Sequence, residues 1–566
     1  MTSNPTPKCN RATARRNWIG ALICAALTIA ILAPFANKAF HIDDTLFLYS
    51  ARQICAHPTD PFGFKVNWYG TEMPMAEVTQ NPPLNCYYIA LVASCFGWSE
   101  TALHLAFLAP AVAAVLGTYF LALRFCTQPL LAALATLLCP VFLVSSTTLM
   151  CDTMMLAFWV WAVVLWLRSA EGGTHVFAVL SACLIAAACL TKYFAVVSLI
   201  PLLLAYSLLR WPRVGWRVLY LAIPVAVFLD YNLTMRSLYG QSPLFGAGSY
   251  ALNIVRQGSC PFRGVVTLSF TGGCLATVIF YAPMLWSRRV LVAGILGIGL
   301  MVGLLSTAKS LGDYELPGDN TTRFLLILEF SIFVVAGVSL LALAIADLWH
   351  ARDAESTLLV LWTAGTFVFC WIFNPIVNGR TILPMVPAAT ILIVRCIDRY
   401  MTGAVGRPSF WKFLPLVFVG LLALAVTWAD TRLANTTRAA ATQIRDRYRE
   451  KKSTVQFTGH WGFQYYMESY GFTAIDGKGV RMAPSDILIL PENNTNVPEP
   501  PLWLSLRSTL KLVSSPILAT THPAVGADFY GGLGGPLPFA ICPVPAERYY
   551  ILTADVADRR NPRIRQ

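Results

Sequence analysis

The chain has 566 residues, of which 56% are hydrophobic and only 13% charged, and its mean hydropathy is +0.59. Soluble domains carry about a quarter charged residues, so this composition excludes a soluble protein and indicates an integral membrane protein. The net charge of +13 is scattered through short turns between apolar runs, which argues against a nucleic-acid partner and fits topology signals.

Lys8, Arg11, Arg15 and Arg16 precede the first apolar run, 18–36. That run is too long for a signal-peptide core and lacks a small-residue cleavage site. It predicts an uncleaved first span with residues 1–17 as a cytoplasmic tail. Further apolar runs follow at 102–123, 130–147, 151–167, 175–191, 194–210, 216–234, 264–286, 290–306, 324–346, 357–373, 381–397 and 411–428. They have no dyad alternation, so the reading is a helical multi-pass protein of about thirteen spans rather than a barrel. An odd count places the chain ends on opposite sides. The basic turns at 210–217, 287–289 and 395–412 then fall on the cytoplasmic side, as the positive-inside rule requires. The loops at 37–101, 235–263 and 307–323 fall outside. Residues 82–97 open with Pro82-Pro83 and are apolar but short, which predicts a helix lying at the outer membrane surface.

From about Asp430 hydropathy drops and Pro and Gly rise. The stretches 453–457, 486–490 and 548–553 have strand character, 462–470 reads as a short helix, and the Gly-rich 529–538 as a loop. The expected organisation is a transmembrane domain over 18–430, with the large outer loop 37–101, and a small soluble α/β domain over 431–566 on the outer face. The cysteines lie mostly inside apolar runs and read as small hydrophobes. Cys55, Cys86, Cys151 and Cys260 fall in or near outer loops, where one disulfide could form.

Polar residues collect at helix ends on the outer side. Asp43 and Asp44 directly follow the first span, where two adjacent carboxylates are costly to leave near hydrocarbon. The outer loop continues with Asn67-Trp68-Tyr69, Glu77 and Asn81-Pro82-Pro83. Rings beside amides and carboxylates are what a sugar-binding cleft needs, although an interfacial aromatic belt has the same composition. Asp152 opens the fourth span, where the helix dipole alone would favour an acid. Lys192 and Arg380 stand at outer helix ends; they suit a phosphate partner, or simply snorkel to the interface.

Taken together, the acid pair after the first span, Pro-Pro-Leu at 82–84, Asp152, Thr191-Lys192 and Arg380 before Leu383-Pro384 resemble the GT-C membrane glycosyltransferases. More specifically, they resemble the bacterial relatives of the protein O-mannosyltransferases and aminoarabinose transferases, over roughly residues 18–400. The resemblance implies inverting transfer of a sugar from a polyprenyl-phosphate donor to a lipid, polymer or protein acceptor, at the outer face of a bacterial inner membrane. It implies that Asp43 is the base, that Asp44 and Asp152 are further acids of the cleft, and that Lys192 and Arg380 lie near the donor phosphate. The aminoarabinose transferases carry a lysine where this chain has Asn81, which shifts phosphate binding to Lys192, Arg380 or Arg256. No cofactor is implied with certainty; Asp43, Asp44 and Asp152 are the residues that would hold a divalent cation. The alternative reading, a secondary transporter or lipid-linked sugar flippase, predicts charges midway along spans rather than at one set of helix ends.

Overall fold

The computed structural model describes residues 11–79, 81–240, 246, 248, 261–374, 376–401, 409–449, 454–476, 486–497 and 504–554. Its larger part is helical, and the protein is a multi-pass membrane protein. Nine described helices are long and apolar enough to cross a bilayer, or eleven if each of two bent pairs counts as one span. The bends have local causes. Pro140 starts the second half of the Pro129–Leu137 and Pro140–Ser146 pair, which turns by 60°, because proline suits the first turn of a helix but not its interior. The remaining two predicted runs form the shorter helices His175–Thr191 and Phe194–Leu209, of 17 and 16 residues. Every predicted run therefore has a helical counterpart, and a total of thirteen spans holds only if the bent pairs and both short helices cross. Leu84–Phe96, read as interfacial, is a helix of 13 residues. At 1.5 Å per residue it covers about 20 Å, short of the roughly 30 Å a span needs.

Capping side chains set several helix starts. Ser99 accepts from the Ala102 amide at 3.2 Å, Asp319 from Thr322 at 2.8 Å, and Asp353 from Ser356 at 2.6 Å. Residues of two of the basic turns, 210–217 and 395–412, pair with acids near the start of the Ala354–Val368 helix and the end of the Val386–Met401 helix. Arg124 and Arg210 both bond Glu355, Arg395 bonds Asp353 and approaches Asp347, and Lys412 pairs with Asp398.

The last helix differs from expectation. It does not stop at 428 but runs unbroken over Leu414–Tyr448, 35 residues. The polar continuation is rich in Ala and Arg, which propagate a helix in water as well as in lipid. The boundary expected at 430/431 thus lies inside a helix that carries the chain out to the C-terminal domain. That domain has a five-stranded sheet in the order Thr473–Ala474, Val455–Phe457, Ile487–Pro491, Glu547–Ala554 and Leu504–Leu512. The first three are parallel and the last two antiparallel to their neighbours. The three expected strands and the Trp461–Ser469 helix are present. The Leu504–Leu512 strand was not expected, although its alternation of apolar and polar residues is the pattern of a half-buried strand. Cys55, Cys86 and Cys151 are free thiols, and Cys260 lies outside the described residues.

The outer loop docks on the C-terminal domain. Its hairpin, Lys65–Asn67 against Glu72–Pro74, gives Asn67 Nδ2 to the Ile475 carbonyl at 2.7 Å and takes Gln464 Nε2 on the Asn67 carbonyl at 2.8 Å. Trp68 is buried against His460, ring centroids 5.4 Å apart. Burial pushes the His460 imidazole down to about 4. The unfolded chain takes up that proton near pH 6.5 and the folded one does so only near pH 4, so acidification across this window weakens folding. In pH-dependent thermal unfolding, His460→Asn is expected to lose less stability between pH 6.5 and 4 than the wild type does.

Candidate functional site

The site begins where the first span ends. Lys38 and Asp430, both with fully buried side chains, form an ion pair at 2.5 Å. Lys38 also donates to Thr147 Oγ1 at 3.2 Å, while Asp430 accepts from Thr520 Oγ1 at 2.7 Å and Tyr530 OH at 2.9 Å. Thr520 and Tyr530 belong to the C-terminal domain. Burial holds His41 near 4, so it remains neutral beside the pair, with Nε2 3.7 Å from Asp430.

Four residues beyond Lys38 the backbone turns sharply. Ile42 is buried with φ of 48°, a left-handed conformation that a β-branched residue rarely adopts. Such strain costs about 1–3 kcal/mol and persists only where the surroundings fix it. It sends the two acids apart. Asp44 is fully buried and accepts the His41 amide at 2.9 Å and the Leu149 amide at 2.8 Å. It therefore clamps the start of the Asp44–Ala56 helix to the segment that leads into Asp152. Burial pushes its carboxyl up to about 7, against the pull of those amides.

Asp43 occupies the N-cap of the same helix but makes no capping bond. Its carboxylate turns instead to Arg380, Oδ2 to Nη2 2.9 Å, and its side chain is 27% exposed. Arg380 sits in the short Gly379–Ile382 helix, started by Asn378 accepting from the Thr381 amide at 2.9 Å. Its Nη1 reaches Met150 Sδ at 2.8 Å and its buried Nε has no partner among the described residues. Asp152, first residue of Asp152–Ala170, likewise makes no capping bond. One oxygen takes Lys192 Nζ at 2.5 Å and the other, buried, is unpartnered among the described residues. The charges of both Asp43 and Asp152 act on Arg380. These four residues thus form two ion pairs within one cluster of opposite charges.

A cavity of about 720 Å³ opens from Lys192. Asn81, Lys192, Ser198, Thr366, Asn374 and Thr381 are among its polar lining; Trp159, Phe194, Pro201, Leu202, Leu361, Trp362 and Phe369 are among its apolar walls. From Lys192 to Ala205 along the Phe194–Leu209 helix it extends for about 20 Å. Val197, Leu361, Val368 and Phe373, which line it, are also exposed on the bundle surface, so the cavity opens sideways.

Other expected residues stand elsewhere. Trp68 packs on His460 of the C-terminal domain, while Tyr69 and Glu77 are exposed. Arg256 lies outside the described residues. Among the described residues no group of three His, Cys, Asp or Glu side chains could hold a metal ion. Asp43, Asp44 and Asp152 do not converge on a cation position: each is directed to its own partner, Arg380, backbone amides or Lys192. The sequence reading missed Lys38, Asp430 and Tyr530. An isolated charge at the end of each of two apolar runs, with opposite signs, was the available signal for the first two.

The family model for dolichyl-phosphate-mannose-protein mannosyltransferases matches residues 80–231. That stretch contains Asn81, Asp152 and Lys192, and the resemblance to GT-C glycosyltransferases holds over it. No curated protein matches the chain. Among solved structures, ArnT from Cupriavidus metallidurans in the apo state matches at 14% identity and a TM-score of 0.40, covering 85% of this chain and 94% of that one. The Pmt1–Pmt2 complex of S. cerevisiae bound to the sugar donor matches at 15% identity and a TM-score of 0.31, over 39% of this chain and 34% of that one. Arabinofuranosyltransferase AftD from Mycobacteria matches at 13% identity and a TM-score of 0.39, over 96% and 42%.

Removing one partner of a buried ion pair leaves an uncompensated charge. Lys38→Met is accordingly expected to destabilise the protein by about 3–5 kcal/mol in chemical unfolding, and Asp44→Asn, which sets an amide donor against a backbone donor, by about 1–3 kcal/mol.

Proposed function

We propose that this chain is a glycosyltransferase that moves a sugar from a polyprenyl-phosphate-linked donor to an acceptor hydroxyl at the outer face of a bacterial inner membrane. The observation that carries this reading is the cavity: an apolar channel about 20 Å long that ends at a lysine. An isoprenoid tail needs the channel, and a lipid phosphate needs the cation. The family match over 80–231, which includes that lysine, supports it.

In this reading the lipid phosphate meets Lys192 at the mouth of the channel, with Asn81 and Thr381 as neutral neighbours. Arg380 keeps Asp43 on Nη2 and presents its unpartnered Nε to the same charge. Asp43 is the base. A sugar-acceptor hydroxyl is too weak an acid to attack unaided, so the carboxylate takes its proton as the oxygen bonds to the anomeric carbon. The bond from that carbon to the phosphate oxygen breaks, with inversion, through an oxocarbenium-like state that Asp43 and Asp152 stabilise. Negative charge gathers on the departing phosphate, where Lys192 and Arg380 oppose it. Asp44, held by two amides, positions Asp43 rather than exchanging protons itself. The bilayer holds the donor by its tail, so orientation supplies much of the rate. The N-terminus is cytoplasmic and the C-terminal domain extracytoplasmic in this orientation.

Release of labelled sugar from a polyprenyl-phosphate donor by the purified protein tests the reading. Asp43→Asn is expected to lower kcat by about 10²- to 10⁴-fold while undecaprenyl phosphate still binds. Undiminished turnover by a folded Asp43→Asn protein would sink the base assignment. Lys192→Ala leaves the buried Asp152 carboxylate without its partner, so it is expected to lower stability as well as to weaken binding of undecaprenyl phosphate to the folded protein; unchanged affinity would remove the phosphate from this end of the channel.

A further inference from the structure

The C-terminal domain reaches into the site through one loop. Gly379, next to Arg380, donates its amide to the Phe529 carbonyl at 2.8 Å, and a Cβ at Gly379 would collide with the Phe529 ring. Gly531, with φ of 79°, lies so close to Asn378, the cap of the Arg380 helix, that a Cβ there would meet Ile376 and Asn378. Between these contacts Tyr530 is buried, and its ring faces the Arg380 guanidinium with 6.0 Å from Cζ to the ring centre. The loop is itself braced. Asp528 accepts the backbone amides of Gly531, Gly532, Leu533 and Gly534 at 2.7–2.9 Å. The Tyr530 hydroxyl is anchored on Asp430 at 2.9 Å, which Lys38 holds in turn.

We infer that Tyr530 is a positioning residue of the site: its ring, fixed by the hydroxyl bond to Asp430, holds the Arg380 guanidinium at the angle from which it serves both Asp43 and the donor phosphate. An arginine has many rotamers, and here its contacts are one carboxylate, one weak thioether acceptor and this ring face. Without the ring the Nε–H would no longer be aimed, and the side chain could collapse wholly onto Asp43. The C-terminal domain is therefore part of the site rather than an appendage to it. This inference rests on the proposed role of Arg380 toward a phosphate.

The test measures undecaprenyl phosphate affinity of purified, full-length protein, together with donor and acceptor KM and kcat. Tyr530→Leu is expected to weaken undecaprenyl phosphate binding by roughly 3- to 30-fold and to raise donor KM in step, with acceptor KM unchanged. Tyr530→Phe, which keeps the ring and loses only its anchor, should recover most of that loss. Thr520→Val removes a different bond to Asp430 without touching the ring, and should cost clearly less donor affinity than Tyr530→Leu. Equal donor and acceptor effects, or a Thr520→Val loss as large as that of Tyr530→Leu, would show a merely structural role and overturn the inference. If Tyr530→Leu does not fold, Tyr530→Phe decides: a reproducible two- to fivefold loss of donor affinity supports the inference and none refutes it. Arg380→Ala separates the two levels. Unchanged lipid-phosphate affinity there defeats the proposed function, whereas a loss there with none in Tyr530→Leu defeats only this inference.

Discussion

The contact on which the remainder depends is the ion pair between Lys38 and Asp430, out of reach of water and separated by 392 positions in the chain. Withdrawing two charges from solvent costs several kcal/mol per ion, and only close approach with further hydrogen bonds offsets it. Thr147, Thr520 and Tyr530 supply those bonds. The pair thereby ties together the exit of the first span, the bent helix pair, the last helix and the C-terminal domain. Since the strained Ile42 and the acid Asp43 follow within five residues of Lys38, fixing the lysine fixes where Asp43 is delivered.

From that anchor the charges alternate. Asp43 faces Arg380, Asp152 faces Lys192, and each cation retains capacity to interact with a further anion. On the proposed reading, such an arrangement keeps two arms of positive charge neutralised and in place for a phosphate, with little reorganisation left for the reaction itself. On the same reading, the neutral Asn81 that lines the channel leaves the phosphate to Lys192 and Arg380.

The spans were legible because hydrocarbon thickness imposes a length on apolar runs, and the turns were legible because basic residues stay on one side. That same sidedness grouped Asp43, Asp152, Lys192 and Arg380 before any contact was visible. What hydropathy could not reveal was anything decided by long-range packing. The Leu414–Tyr448 helix changes solvent halfway, so its second half reads as a new domain although its backbone never changes. The glycines of 529–538 read only as a loop, yet Gly531 and Gly534 take up positive φ as the chain wraps its amides around Asp528, and Gly531 passes close to Asn378. Trp68 and Tyr69 had the composition of a sugar platform, but composition cannot tell a ring that binds a ligand from one that packs on His460.

The unbroken 35-residue helix also limits how such a molecule can work. It contains no proline after Pro415, so it behaves as a strut between membrane and water and offers no joint about which the upper part could swing open. On the proposed reading, a bulky lipid then has no route from above. Traffic must pass laterally, through the slit bordered by Val197, Leu361 and Val368, with the tail never leaving the bilayer.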